Sequence, residues 1–388
     1  MRVLAIETSC DETAVAVVEE REEENIRAFS VLGNALLSQA EQHAEYGGVF
    51  PSLAKREHAK NLVPLTEKAL LDAGMLQRSP HKLDGSTRQE LQTLLMREPE
   101  LFEQLTQFLE DHEKPEVDAI AVTEGPGLEP ALWVGINFAK ALSLVWNVPV
   151  IPINHMEGHI VASLLNEEVE LGHIEFPALA LLISGGHTEL VLIRDWFEYE
   201  LVGSTRDDAV GEAFDKVARM LDLSYPGGPE IARLAEEARR EDRTSAYPLP
   251  RPMIGSDNCD FSFSGLKTAV LYTLREIEPL TDKIKQEFAR EFEDAVVEIL
   301  LKKTQKAIET HGIRTLILGG GVSANTEIRN AFRELFKKQY PDSLLYIPDP
   351  KLTTDNAIMI GVAGLMRKSQ EERPHEHIRA RGNLKVHT

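Results

Sequence analysis

The chain has 388 residues, room for two to three domains at about 150 residues each, and its 63 Asp and Glu outweigh 42 Lys and Arg for a formal charge of −21. Hydrophobic residues at 43% and charged residues at 27% are ordinary for a globular protein, and 25 Gly with 20 Pro exclude bulk disorder and collagen-like repetition. Two cysteines, Cys10 and Cys259, cannot build a disulfide framework or a Cys-rich zinc site.

The apolar run after Arg2, Val3 to Ile6, is too short for a signal-peptide core. The longest apolar runs, such as Ala178 to Ile183, fall far below the ~20 residues of a membrane helix. A soluble, cytoplasmic protein with no membrane segment is predicted. So acidic a chain repels nucleic acid at long range, so any such role needs a local basic patch or partners.

Val3 to Ile6 reads as a buried strand, Thr8 to Thr13 as a polar turn, and Ala14 to Val18 and Arg27 to Leu37 as two further strands. The acidic stretch Glu19 to Glu24 between them reads as a solvated hairpin end. Pro51 opens a helix that runs to Leu71, with Gly74 as its stop. Residues 75–115 are charged and Gln/Glu-rich, and read as an inserted helical hairpin or flexible excursion. Ser86 with Gln89, or Thr87 with Glu90, forms a capping box there. Val117 to Val122 is a strand ending in Glu124-Gly125-Pro126-Gly127, Leu132 to Val145 a helix, and Val148 to Ile153 a strand. Asn154 caps the helix that follows, His155 to Leu165.

The order then restarts. Strands are predicted at 177–183, 190–193, 199–202, 315–318 and 344–347, with helices near 209–222, 229–241, 265–276, 284–310, from Asn325 and from Asp355. Twice over, three antiparallel strands precede alternating helix and strand, without sequence repetition. This predicts an α/β fold of two lobes, each a mixed sheet flanked by helices, with a cleft between them: the plan of the actin-like (ASKHA) and sugar-kinase ATPases. The lobes are placed at 1–175 and 176–388, with residues from about 355 packing back on the first.

Three turns directly follow strands: Glu7 to Asp11, Ser184 to Thr188, and Gly319 to Asn325. Glycine amides in such turns can point at an anion. None is a Walker A loop or a dinucleotide fingerprint. Tyr225 to Pro229 is either a helix–helix turn with Pro229 at the first helical position or a glycine edge for a ribose or base.

His155-Met156-Glu157-Gly158-His159 is the sharpest local feature. Histidines at i and i+4 share one helix face and can chelate a cation. Glu157 stands one position away from where a zincin keeps its base. A carboxylate at a helix N-cap, Asp355 in Thr353-Thr354-Asp355-Asn356, is the best candidate third ligand. Two His and one carboxylate suit Fe(II) or catalytic zinc. His375, His377 and His387 fall in a polar tail and read as solvated. Asp215 is either a ribose or magnesium ligand or a charge beside Lys216, and Asp11 a base or an Asx-turn residue.

In order along the chain stand Glu7-Thr8-Ser9-Cys10-Asp11-Glu12-Thr13, Tyr46-Gly47-Gly48-Val49, Gly125-Pro126-Gly127-Leu128, His155 to His159, Ser184 to Glu189, Gly211 to Lys216, Tyr225 to Pro229, Asp260 to Lys267, Phe292 to Val296, Gly320 to Asn325 and Thr354 to Ala357. By these stretches the chain resembles the TsaD family of tRNA N6-threonylcarbamoyladenosine synthesis, formerly described as glycoproteases. The resemblance implies transfer of a threonylcarbamoyl group from threonylcarbamoyl-AMP to N6 of adenosine 37, in tRNAs reading codons that start with A, with release of AMP. It implies His155, His159 and Asp355 as ligands of one divalent metal, Fe(II) first and zinc or magnesium after it. Leu182, Ile183, Ser184, Gly185, Gly186, Asp215, Gly228 and Asn325 are implied as contacts of an ATP/AMP-type nucleotide or acyl-adenylate. It also implies TsaB and TsaE as partners and a TsaC-type enzyme upstream. Asp11 is the candidate proton acceptor, and Arg379, Arg381 and Lys385 are candidate tRNA contacts in what otherwise reads as a disordered basic tail. Departures from the family pattern are the long 75–115 segment, Pro130 and Asn137-Phe138. A metalloprotease using the His pair, a small-molecule kinase and a non-catalytic scaffold are the competing readings.

Overall fold

A computed structural model describes residues 1–23, 26–277, 279–367 and 377–386. In chain order its elements begin with β1 (Arg2–Glu7), β2 (Glu12–Glu23), β3 (Ile26–Ser38), α1 (Ala40–Ala44), α2 (Pro51–Asp72), α3 (Gly85–Leu94), α4 (Pro99–Asp111), β4 (Ala119–Gly125), α5 (Glu129–Trp146), β5 (Val150–Asn154) and α6 (His155–Ser163). They continue with β6 (Ala178–Ile183), β7 (Thr188–Asp195), β8 (Glu198–Ser204), α7 (Val210–Met220), α8 (Gly227–Arg240), α9 (Ser264–Leu274), α10 (Asp282–His311), β9 (Thr315–Gly319), α11 (Thr326–Gln339), β10 (Leu344–Tyr346) and α12 (Ala357–Arg367). Among the described residues, no helix is long and apolar enough to cross a membrane.

The chain forms two compact units, Met1–Gly172 with Asp355–Val386, and His173–Thr354. In the first, the sheet order is β3-β2-β1-β4-β5. β1 pairs antiparallel with β2 and parallel with β4, so its Val3 to Ile6 run is buried on both faces. β2 runs on to Glu23 in register with β3, so Glu19 to Glu23 belong to a strand; Glu24 lies outside the described residues. α12 packs on β1, β2 and α6, returning the chain to this unit.

The 75–115 segment takes the helical alternative, as α3 and α4, and packs into the core rather than forming a flexible excursion. Leu101, Leu105, Phe108 and Leu109 recur at helical spacing on α4, and all are buried in the cluster that holds Leu62, Leu70 and Phe138. α3 is capped by Asp84, whose carboxylate accepts the amides of Ser86 and Thr87 at 3.0 Å, so neither predicted capping box forms. The Ser86 and Thr87 hydroxyls hold that carboxyl well below its usual range.

The second unit repeats the plan with the order β10-β9-β6-β7-β8. β6 takes the place of β1, antiparallel to β7 and parallel to β9. Its core is aromatic, with Phe214 and Phe292 edge to face at 5.0 Å. Each unit is a five-stranded mixed sheet flanked by helices, as the element order predicts. α8 starts at Gly227 after Pro226, which makes Pro229 its third residue, not its first.

Candidate metal centre and glycine turns

The metal-ligand candidates all lie in the first unit. β5 ends at Asn154, whose side chain accepts the amides of Met156 at 2.9 Å and Glu157 at 3.4 Å and so starts α6. One helical turn then places His155 and His159 on the same face, both buried. After a short 3-10 turn, Pro350–Leu352, the chain reaches Asp355. Asn356, not Asp355, caps α12 by accepting the Met359 amide at 3.0 Å. Relieved of that task, the Asp355 carboxylate meets both imidazoles: Oδ1 lies 3.3 Å from Nε2 of His155 and 3.2 Å from Nε2 of His159.

The three residues offer ligand atoms within 4.8 Å of one another. His159 Nε2 is fully buried and, among the described residues, has no hydrogen bond of acceptable geometry. A buried polar atom without a partner costs ~1–3 kcal/mol, which a bound cation would remove. The donor set and this orphaned nitrogen both fit a divalent metal with open positions for substrate.

Glu7 completes the group and was absent from the predicted site. It is fully buried, and its Oε2 lies 3.0 Å from Nδ1 of His155 while accepting the Thr123 hydroxyl at 2.6 Å. Its Oε1 accepts the Ser9 amide at 2.5 Å. A carboxylate on Nδ1 fixes the proton there and leaves Nε2 to ligate. Burial alone would lower His155, but the Asp355 and Glu7 carboxylates raise it well above its ordinary value. Burial likewise works against the Asp355 charge, yet His155 and His159 hold that carboxyl well below the usual range. Glu157, buried on another side of α6, accepts from Nε and Nη2 of Arg367 at 2.5 Å each. That pairing ties α6 to α12.

Asp11 and Glu12 lie half-buried after β1. Burial raises the Asp11 carboxyl, and Asp355 adds to it. Glu12 is pushed up to about 9 by burial and by the Asp355 and Asp11 carboxylates. The loop is held from α2 by His58, whose Nε2 lies 3.0 Å from the Cys10 carbonyl and whose Nδ1 lies 2.8 Å from the Thr13 hydroxyl. Burial pulls His58 down to about 4, so it is neutral at pH 7.

The predicted nucleotide contacts all lie in the second unit. Leu182 and Ile183 are fully buried strand residues, leaving their backbone alone to meet a ligand. Ser184 Oγ accepts the amides of Gly186 at 3.3 Å and His187 at 3.1 Å and shapes the turn. A Cβ on Gly185, Gly186 or Gly228 would meet open space. Gly320, at φ +85°, lies against this strand so closely that a Cβ would stand 2.5 Å from the Ile183 carbonyl. Asp215 on α7 accepts the Gly227 amide at 2.8 Å and so sets Gly228 in place. Asn325 caps α11 through the Ile328 amide at 2.9 Å and donates to Glu293 at 2.6 Å. Buried Glu293 in turn pairs with Arg239 at 2.5 Å.

Arg379, Arg381, Lys385 and His377 are exposed; His375 and His387 lie outside the described residues.

Residues 30–83 and 99–362 match the family model TsaD, described as tRNA N6-adenosine threonylcarbamoyltransferase. The unmatched interval, 84–98, contains α3. The chain is 40% identical over 385 residues to the tRNA N6-adenosine threonylcarbamoyltransferase of Staphylococcus carnosus (strain TM300), covering 99% of this chain and 96% of that one. Among solved structures it is similar to full-length HypF in its phosphate- and nucleotide-bound form, at TM-score 0.49 and 12% identity over 95% of this chain and 46% of that one. A ROK hexokinase from Thermus thermophilus gives TM-score 0.41 and 11% identity, over 96% of this chain and 100% of that one.

Proposed function

The chain belongs to the TsaD family of tRNA N6-adenosine threonylcarbamoyltransferases, and from that premise we propose that it moves the threonylcarbamoyl group of threonylcarbamoyl-AMP onto N6 of adenosine 37, in tRNAs reading codons that start with A. The observation that carries the reading is the convergence of His155, His159 and Asp355 around the orphaned Nε2 of His159.

In the reaction, the N6 lone pair forms a bond to the carbonyl carbon of the mixed anhydride. The bond from that carbon to the phosphate oxygen breaks, and its electron pair leaves with AMP. The proton shed by N6 passes to Asp11, the half-buried carboxylate after β1. His155, His159 and Asp355 would hold a divalent cation, Fe(II) first and zinc or magnesium after it, which would supply Lewis-acid polarisation to the threonylcarbamoyl carbonyl. Glu7 keeps His155 in the ligating tautomer. Amides of the Ser184 to Gly186 turn take the AMP phosphate, and Asp215, Gly228 and Asn325 border its nucleoside. Positioning of donor and acceptor supplies up to ~7–11 kcal/mol of the barrier reduction. TsaB and TsaE act as partners, and a TsaC-type enzyme supplies the adenylate.

The test is a transfer assay. Metal-replete protein, threonylcarbamoyl-AMP and unmodified tRNA carrying A37 are combined with and without TsaB and TsaE, and nucleosides are read by mass spectrometry. Modified adenosine in either arm is expected; none in both arms, with nucleotide still bound, sinks the proposal.

A further inference from the structure

The Gly125-Pro126-Gly127 loop and the basic residues near the C-terminus, distant in sequence, meet in the first unit. Residues 377–386 lie across it as a strap. Ile378 is fully buried in the apolar cluster that holds Val122 and Phe138, and Leu384 and Val386 are buried further on. Polar ties hold the backbone along its length. Lys140 Nζ donates to the Ile378 carbonyl at 2.8 Å, and the Arg381 amide donates to the Glu124 carbonyl at 2.9 Å. The Gly127 amide donates to the Gly382 carbonyl at 3.1 Å, and Asn154 Nδ2 to the Lys385 carbonyl at 3.2 Å.

The loop is shaped for this contact. Gly125 has φ +153°, and a Cβ there would stand 2.1 Å from the Arg381 carbonyl oxygen. Its glycine therefore admits a protein backbone. With the apolar residues turned in, Arg379, Arg381 and Lys385 remain exposed. Among the described residues, the Arg381 guanidinium pairs with Glu124 at 3.9 Å. The strap ends on Asn154, the cap of α6 and the neighbour of His155. A row of cations thus runs up to the helix end that carries the metal ligands, on a chain whose net charge of −21 otherwise disfavours polyanions.

We propose that this strap is a phosphate rail: Arg379, Arg381 and Lys385 engage phosphodiester oxygens of the polynucleotide acceptor and set its register on the first unit. The proposal rests on the reading that tRNA is the acceptor, and it gives the Gly-Pro-Gly loop the task of seating the rail.

The test compares the full-length protein with a R379Q/R381Q/K385Q variant. Binding of unmodified tRNA is titrated across a salt series, alongside AMP binding, metal content and the wild-type transfer assay. Each lost phosphate contact lowers the slope of log K against log salt by ~0.7–0.9, so the triple variant is expected to lose about 2–3 from that slope. AMP affinity and bound metal per chain are expected to stay unchanged. A second variant, Gly125→Ala, keeps every charge but is expected to unseat the strap, giving faster proteolysis within 377–386 and weaker tRNA binding. An unchanged slope in the triple variant overturns the rail, as does a wild-type protein that binds no tRNA at low salt. If wild type transfers and the slope is unchanged, the rail falls and the enzymatic reading stands. If the slope drops but wild type transfers nothing, the rail stands and the enzymatic reading falls.

Discussion

The two units share one strand plan and build their candidate sites from different parts of the chain. In the first, side chains do the work: two imidazoles and a carboxylate converge, and a second carboxylate orients one of them. In the second, backbone dominates: glycines of the 184–186 turn and Gly228 face open space, while Asp215 and Asn325 spend hydrogen bonds on amides of the protein itself. A side-chain site concentrates its function in few residues, whereas a backbone site spreads it over local geometry.

The sharpest way to break this contrast is His159→Ala. It is expected to abolish stoichiometric metal binding and transfer while leaving AMP binding and the folded state intact, checked by elemental analysis, calorimetry and circular dichroism. Full transfer by metal-free His159→Ala protein would sink the metal role. Glu7→Gln tests whether the outer carboxylate matters, and metal affinity is expected to fall ~10–100-fold in a direct metal titration. An unchanged affinity would reduce Glu7 to a packing residue.

A third test concerns the network that holds the loop after β1. His58 has a folded pKa near 4, below the ordinary 6.5. Its contribution is therefore fully present above pH 6.5 and is lost as pH falls from there toward 4. The loss amounts to about 3 kcal/mol at most. Urea melts from pH 7 to 4 should show stability falling in this window, with the fall flattened in His58→Gln. In the second unit, Ser184→Ala is expected to change AMP affinity by the equivalent of only about 1 kcal/mol, because it removes one hydroxyl from a backbone-built turn. Loss of AMP binding altogether would erase the distinction between the two sites.

Local signals made much of this legible from residues alone. Apolar runs such as Val3 to Ile6 and Ala178 to Ile183 marked the central strands, because such runs can be buried on both faces. Asn154 was readable as a cap, since capping is decided within three residues. The His pair was readable because i, i+4 spacing fixes a shared face. Glu7 was not: its partners, Thr123 and His155, come from β4 and α6, and a carboxylate in a polar turn carries no mark of such distant neighbours. A helical stretch running from Pro99 to about Leu109 was legible, but its place in the core was not, because its apolar stripe alternates with charged residues, which dilutes composition while preserving periodicity. The return of the chain from about residue 355 to the first lobe was expected, but the seat of the strap was not legible, because its short extended run has few apolar residues and only the receiving loop explains its order.

The place of Asp355 in the chain has a consequence for biosynthesis. The second unit, His173–Thr354, is inserted between the two histidines and their carboxylate. A nascent chain that has emerged from the ribosome only as far as Thr354 carries both imidazoles but lacks the third ligand. The candidate metal centre can therefore close only after both units have been synthesised.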